Sequence, residues 1–201
     1  MNSNGNHHSA FGLAQALIVM AGMLLCCCHS NQNKLSVEPV YYTDDSFVHL
    51  LDISGSGFSM DAPQHIDGRY GEKEFSMDAW MRMNDSLLSV VLFSSFGNTL
   101  AEITCSRDSI RFNSTLMDMG KIKAEYIIAD IQLCYFDMAV LKPHFESYGF
   151  TLTETTEGDT TVRKLSKGST DILTIRKNGN TIELANSLRN YSYTVTGGQA
   201  Q

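Results

Sequence analysis

The most constraining feature of the sequence is an apolar stretch between Leu87 and Cys105 that a short polar break divides in two. It reads LLSVVLFSSFGNTLAEITC, and each half is rich in apolar and β-branched residues. Because side chains alternate between the two faces of a strand, the halves can pair as an antiparallel hairpin. The turn residues between them are Ser94, Ser95, Gly97 and Asn98. The stretch therefore predicts a central hairpin.

Phe96 is the exceptional residue of this hairpin because it falls at the tip. A large ring at a tip lies outside the face of the sheet, so it goes to solvent, to another element or to a membrane. One interpretation is that Phe96 folds back onto the domain. The other is that Phe96 and Gly97 form a tip that contacts a membrane or a partner.

Composition limits the class of protein. A chain of 201 residues suits one domain with a leader or tail. The net charge is −7 and no basic cluster is present, so we expect no nucleic-acid partner. Only three prolines occur, and turn signals are frequent. These features favour an antiparallel β-rich domain over a helical bundle.

The first 28 residues have the layout of a signal peptide. An apolar run from Phe11 to Leu25 is short for a membrane span and ends at three consecutive cysteines. A run that stops at cysteine resembles the lipobox of bacterial lipoproteins, in which the cysteine thiol receives a diacylglyceryl group. This resemblance implies lipidation of Cys28, or alternatively of Cys27. The other interpretation is an uncleaved anchor helix in which the cysteines pack as small hydrophobic residues.

The sequence thus divides into a signal peptide (residues 1–28), a tether (29–40) and a single domain (41–201). No aspartate follows the anchor, so the lipoprotein resemblance implies outer-membrane delivery, with the domain facing the periplasm. In that oxidising compartment Cys105 and Cys134 either pair or remain inert core thiols, depending on their separation.

Local patterns predict the elements of the first half. Residues 73–83 alternate strictly and predict a strand, whereas 110–113 predict a shorter one. The Gly-, Ser- and Asp-rich stretch 52–67 predicts a loop. The segment after Thr43 fits either a short helix or an extended chain.

Apolar residues recur at helical spacing between Ala124 and Phe145, which predicts one long helix that Pro143 ends or kinks. Asp130 and Gln132 fall within this apolar segment. Neighbouring positions on a helix point in different directions, so we interpret them as an exposed or hydrogen-bonded face.

From Tyr148 onward, short β-rich runs alternate with turn signals, of which Asn178-Gly179 is typical of a type I′ hairpin. A meander of strands with one long helix inserted midway predicts a mainly β (α+β) fold. We expect an incomplete antiparallel β-barrel, or a strongly curved sheet, with the helix as a lid on its concave side.

Three blocks resemble a family of uncharacterised bacterial outer-membrane lipoproteins related to the lipoprotein-localisation factors. They are LSVVLFSSFGNTLAEI, YIIADIQLCYFDMAVL and IELANSLRNYSYTVT. The most specific parts are Ala-Asp-Ile-Gln-Leu at 129–133 and the pattern from Asn186 to Tyr191; Asp137 stands where the family often has proline. The resemblance implies a half-barrel whose helical lid encloses an apolar cavity for acyl chains. It also implies a protruding hairpin at Phe96-Gly97 that helps to hand the cargo to the bilayer.

The resemblance leads to a cargo-binding hypothesis. The candidate cavity residues are Phe75, Met77, Met81, Phe93, Ile127, Ile131, Tyr135 and Met138. An acyl chain gains about 0.8 kcal/mol per buried CH₂, so partial burial already gives useful affinity. The expected partner is an acyl chain, a lipoprotein or a lipid-like product, bound by a monomer without metal or cofactor. The other interpretation is that these residues form a closed core.

An enzyme and an interaction scaffold are the two other function classes. The sequence lacks a Gly-x-Ser-x-Gly elbow, a metal-spaced His cluster and a glycine-rich phosphate loop, so we expect no enzymatic activity. A hydrolase would need scattered residues such as His65 or His144 with Asp52 or Asp130. The alternative function is an interaction scaffold at the outer membrane without lipid cargo, in which Phe96 contacts a protein partner.

Overall fold

The computed structural model describes residues 38–54, 56–114 and 123–197. The signal peptide, Cys27, Cys28 and most of the tether lie outside the described residues. The elements in chain order are β1 (Val40–Tyr41), β2 (Phe47–Val48), β3 (Met60–Tyr70), β4 (Lys73–Met83), β5 (Leu87–Phe93), β6 (Thr99–Ser106), β7 (Ser109–Ser114), α1 (Ala124–Tyr135), α2 (Met138–Ser147), β8 (Thr151–Glu157), β9 (Thr160–Lys167), β10 (Thr170–Asn178), β11 (Thr181–Asn186) and β12 (Tyr191–Gly197). Neither helix in these ranges is long and apolar enough to cross a bilayer.

Ten of the described strands form one antiparallel sheet in the order β7-β6-β5-β4-β3-β12-β11-β10-β9-β8. The edge strands β7 and β8 do not pair with each other, so the sheet is open. Phe112 of β7 and Leu152 of β8 nevertheless belong to one core cluster, so both edge strands pack against the same hydrophobic core. The prediction of a mainly β, unclosed antiparallel sheet is confirmed.

The two helices connect the edge strands and cover one side of the sheet, which we call the inner face. Helix α1 is buried on several sides, with Ile128, Ala129 and Leu133 among its most enclosed residues. A helix enclosed in this way is typical of a core element rather than of an amphipathic cover.

The alternation predicted for residues 73–83 is confirmed. Ala79, Met81 and Met83 are buried on the inner face, whereas Trp80 and Arg82 are exposed on the opposite, outer face. The predicted central hairpin is also present as β5 and β6.

The hairpin at Asn178-Gly179 differs from the prediction in its turn residues. Asn178 ends β10 and pairs with Thr181, so the two turn residues are Gly179 and Asn180. Of these only Gly179 has a positive φ, of 53°, whereas a type I′ turn needs two. A glycine at the first turn position supplies the left-handed conformation without steric cost.

The loop predicted for residues 52–67 is wrong in its second half, because β3 begins at Met60. Met60 and Gln64 are buried on the inner face, so the strand alternates between buried and exposed positions although its composition is polar. Pro63 lies one residue beyond the last pairing of β3 with β12, Gln64 with Gly197, and therefore fits within a strand.

The single helix predicted for residues 124–145 is two helices. Phe136 and Asp137 are both extended, and the side chain of Asp137 accepts a hydrogen bond from the backbone N–H of Ala139 at 2.8 Å, which caps α2. Phe136 is buried and fixes the break in the core. The short helix considered after Thr43 is absent: residues 42–45 bend between β1 and β2, and Val40 pairs with Val48.

Candidate functional site

Two polar residues hold α1 inside the domain. The carboxylate of Asp130 accepts hydrogen bonds from the hydroxyls of Tyr191, at 2.9 and 3.1 Å, and Tyr193, at 3.2 Å. The side chain of Gln132 donates to the carbonyl of Leu51 at 2.7 Å and accepts from its N–H at 3.1 Å. Asp130 and Gln132 are both buried. Of the two alternatives drawn from the sequence, the hydrogen-bonded one is therefore right.

Burial raises the pKa of Asp130 to about 7, although the tyrosine hydrogen bonds and the charge of Arg189 lower it. Burial and the nearby carboxylate together raise the pKa of Tyr191 and of Tyr193. The tyrosines therefore remain hydrogen-bond donors while Asp130 changes charge near neutral pH. The attachment of α1 to β12 is thus sensitive to pH.

The contacts of Asp130 continue into the turn between β11 and β12. The amide of Asn186 donates to the hydroxyl of Tyr191 at 3.4 Å and accepts from the N–H of Arg189 at 2.9 Å. The Arg189 guanidinium lies 4.7 Å from the ring centroid of Tyr126 on α1 and donates to the carbonyl of Tyr41. The two most specific motifs of the sequence, around Asp130 and from Asn186 to Tyr191, therefore form one network.

Arg163 on β9 is the second attachment of α1. Its guanidinium donates to the carbonyls of Leu133 and Phe136, both at 2.8 Å, and pairs with Glu154 on β8. These carbonyls lie at the C-terminal end of α1, where no backbone N–H of the helix is available to bond to them. Arg163 was not among the residues predicted from the sequence; the available signal is a pair of opposite charges at facing positions of two neighbouring strands.

The structure places seven of the eight candidate cavity residues on the inner side. On β4, Met81 is buried, Met77 is half-buried and Phe75 is 36% exposed, so the inner face becomes less covered toward the β3–β4 turn. The candidate residues from the helical segment are all half-buried and pack against the core; they are Ile127, Ile131, Tyr135 and Met138. Their role in cargo binding stays a prediction.

The prediction that Phe93 lines the cavity is wrong. It pairs with Asp78 across β4 and β5, whereas Ala79 pairs with Leu92 on the inner face. Phe93 therefore lies on the outer face and cannot line a cavity beneath α1.

Phe75 packs over a glycine. A Cβ atom at Gly68 would lie 2.2 Å from the Phe75 ring, so only glycine leaves room for the ring on the backbone of β3. Ile66, Tyr193 and Val195 are further partly buried side chains of this inner region. Together they leave an apolar area that is only partly covered.

Two depressions lie elsewhere. A space of about 10 Å³, enough for about one water molecule, is enclosed by residues that include Tyr42, His49 and Gln132. A groove of about 760 Å³ lies on the outer face. It is bordered by polar cross-strand rows, one of which is Ser76, Asp67, Thr194, Glu183 and Arg176. Most of its lining residues are charged or carry hydroxyl groups, unlike those of the apolar cavity that the resemblance implies.

His65, one of the scattered hydrolase candidates, lies beside this groove. Its Nδ1 is 2.7 Å from Asp78, and its Nε2 is 3.4 Å from the Ser76 hydroxyl and 3.4 Å from Asp67. The order resembles a nucleophile–base–acid triad, but a second carboxylate competes for Nε2. The hydrogen bond to Asp78 and the charge of Asp67 raise the pKa of His65, which favours an imidazolium rather than a general base. We interpret this group as a cross-strand polar contact.

The other scattered candidates lie apart from one another. His144 donates to the carbonyl of His49 at 2.7 Å, and Asp52 lies 3.4 Å from Arg107. Asp130 contacts tyrosines, as described above. The structure therefore does not bring a histidine to either Asp52 or Asp130 within hydrogen-bonding distance in the described ranges.

Phe96 projects from the tip of the β5–β6 hairpin and is 89% exposed. Gly97 has a φ of +78° and its N–H donates to the carbonyl of Ser94 at 2.8 Å. Ser94 also donates its N–H to Asn98 and accepts from the Asn98 N–H through its hydroxyl. The turn is thus closed by several hydrogen bonds. Phe96 does not fold back onto the domain.

A family model described as "Protein of unknown function (DUF3261)" matches residues 61–197. The chain belongs to this family. The DUF3261 match begins within β3 and ends with β12, so it covers the ten-stranded sheet and both helices. No curated protein matches the chain.

Within the DUF3261 region, Cys105 on β6 and Cys134 on α1 are buried free thiols. Burial raises the pKa of each to about 12, so both are protonated and unreactive at neutral pH. The alternative of two inert core thiols is the one that the structure supports.

Proposed function

We propose that this DUF3261 protein is an outer-membrane lipoprotein that binds an acyl chain or another lipid-like cargo and assists its delivery to the outer membrane. The observation that carries the proposal is the partly covered apolar area of the inner face. Half-buried side chains of α1, such as Ile127 and Ile131, and of the sheet, such as Met77 and Ile66, adjoin a fully packed core there. The family's relation to the lipoprotein-localisation factors is part of this proposal.

The physical basis is apolar burial beside a helix that is held by polar contacts. Placing about six methylene groups against such a surface contributes on the order of 5 kcal/mol, without any polar chemistry. The attachments of α1 through Asp130 and Arg163 are side-chain hydrogen bonds rather than strand pairing. Small shifts of α1 can therefore admit a chain without breaking the sheet.

The anchor and the tip complete the proposal. A diacylglyceryl group on Cys28, or alternatively on Cys27, would fix the domain to the outer membrane on the periplasmic side. Phe96, exposed and free of intramolecular packing, would then contact the bilayer during transfer. The protein acts as a monomer and needs no cofactor.

The test is native mass spectrometry of residues 30–201 secreted into a bacterial periplasm, followed by extraction of bound lipid. We expect one co-purifying acylated species per chain. The variant Met77→Glu, on the inner face, should lose this species. Ser76→Glu, the adjacent position on the outer face, should retain it.

An unoccupied chain that also ignores added fatty-acyl probes would contradict the proposal. It would favour the alternative, an interaction scaffold without lipid cargo. Retention of the lipid in Met77→Glu would place the binding site elsewhere than the inner face.

A further inference from the structure

Exposed hydrophobic side chains gather at one end of the sheet. Five of the seven large hydrophobic residues exposed in the described part of the chain belong to this end or adjoin it. They are Tyr41, Tyr70, Phe75, Phe96 and Leu188, and we call this set the apolar end. Contiguous exposed apolar residues are typical of contact surfaces, whereas scattered ones need no explanation.

The strand register brings the apolar end together from three connections. Tyr70, the last residue of β3, pairs with Tyr191, the first of β12, and the N–H of Gly71 donates to the carbonyl of Asn190 at 2.9 Å. The β3–β4 turn therefore adjoins the β11–β12 turn, which carries Leu188.

The β5–β6 tip points the same way. Phe93 on β5 pairs with Asp78 on β4. Phe75 lies three residues from Asp78 toward the β3–β4 turn, and Phe96 lies three residues beyond Phe93 toward the same end. Phe96 is thus about level with Phe75. The β6–β7 and β8–β9 turns lie at the opposite end of the sheet.

The chain enters the domain at this same end. Glu38, the first described residue, pairs with Lys123 at 2.9 Å, and the carbonyl of Tyr41 accepts from Arg189 in the β11–β12 turn. Nine residues lie between Cys28 and Glu38, so the chain between these two positions spans at most about 35 Å. A lipid on Cys28 would therefore hold the apolar end close to the bilayer.

We propose that the apolar end is a lipid-bilayer contact surface built from three neighbouring connections, of which Phe96 is one part. This inference rests on the lipid anchor of the proposed function. Charges of both signs surround the surface, among them Glu72, Lys73 and Arg189. The contact is therefore apolar, with aromatic rings at the headgroup level, and depends little on salt.

The experiment uses the full chain, lipidated in cells and reconstituted through its own anchor into vesicles of phosphatidylethanolamine and phosphatidylglycerol. Single thiols for an environment-sensitive fluorophore are introduced by Tyr70→Cys, Leu188→Cys and Phe96→Cys. Asp108→Cys and Asp159→Cys are the matched controls, exposed in turns at the opposite end. Cys105 and Cys134 are buried and will not be labelled. Lipids with brominated acyl chains serve as the quencher.

We expect quenching at positions 70, 96 and 188 to exceed that at 108 and 159 at least twofold. Quenching at position 96 alone would overturn the three-connection surface and leave the proposed carrier function intact. Equal quenching at all five positions, or none at any, would overturn both this surface and the membrane role of Phe96. The mass of the attached diacylglyceryl group, measured on the same samples, tests the anchor separately.

Discussion

The hydroxyl of Tyr191 on β12 donates a hydrogen bond of 2.9 Å to the carboxylate of Asp130 on α1. Both groups lie where the helix meets the inner face of the sheet, and Tyr193 stacks beside Tyr191 with ring centroids 6.3 Å apart. A buried carboxylate that lacks hydrogen-bond donors destabilises the folded state, so these hydroxyls keep α1 packed against the sheet.

Removing one of these hydroxyls should destabilise the domain. We expect Tyr191→Phe to lower the free energy of unfolding by about 1–3 kcal/mol at neutral pH, because a buried acceptor loses its closest donor. Tyr148→Phe, a half-buried tyrosine whose hydroxyl has no hydrogen bond in the described ranges, should change it by less than about 0.5 kcal/mol. Urea titrations of both variants check this. Equal effects would contradict the role assigned to Tyr191.

Stability should fall as the pH rises from about 4 to 7. The pKa of Asp130 rises from 3.8 to about 7 on burial, so the folded state binds more protons than the unfolded state in this range. The contribution is fully present below about pH 4 and is lost as the pH passes about 7. Between pH 5 and pH 8 we expect a loss of about 2–3 kcal/mol.

The pKa of His65 is also raised, so its contribution to stability is likewise lost as the pH rises. The variant Asp130→Asn separates the contribution of Asp130 from that of His65. Thermal unfolding measured at several pH values should show a flatter profile for the variant than for the wild type. Parallel profiles would show that Asp130 is already charged in the folded protein at low pH.

Arg163 should matter far more than an exposed arginine in a similar pair. Its side chain is 6% exposed as a residue and satisfies two carbonyls at the end of α1, so Arg163→Met should cost about 3–5 kcal/mol. Arg176→Met breaks an exposed pair with Glu157 and should cost less than about 1 kcal/mol. Chemical denaturation of the two variants provides the comparison. A small effect of Arg163→Met on the free energy of unfolding would mean that Arg163 does not hold the C-terminal end of α1.

Strands with strict alternation were predictable from sequence because the period of two is a local property. Residues 73–83 and the β5–β6 hairpin followed from it directly. Strand β3 was missed because residues 52–67 are rich in Gly, Ser and Asp and include Pro63, and the reason that Pro63 is tolerated lies in the pairing with the neighbouring strand β12. The register between β4 and β5, which sends Phe93 to the outer face, is equally a tertiary property.

The helix break and the buried polar contacts also depend on distant residues. In the sequence Asp137 resembles any polar residue on a helix surface, whereas in the structure it caps α2. Asp130 and Arg163 find their partners on other elements, Tyr191 and Tyr193 for the first and Glu154 and the end of α1 for the second. Neither set of partners follows from spacing along the chain.

The most direct test of acyl-chain binding on the inner face is photo-crosslinking with a fatty acid that carries a diazirine in its chain. Peptide mapping by tandem mass spectrometry would then locate the modified residues. We predict modification at Ile127, Ile131 and Met77, and its loss when unlabelled fatty acid is in excess. Modification confined to the outer-face groove near Asp67 and Arg176, or modification that excess fatty acid does not reduce, would contradict the carrier account.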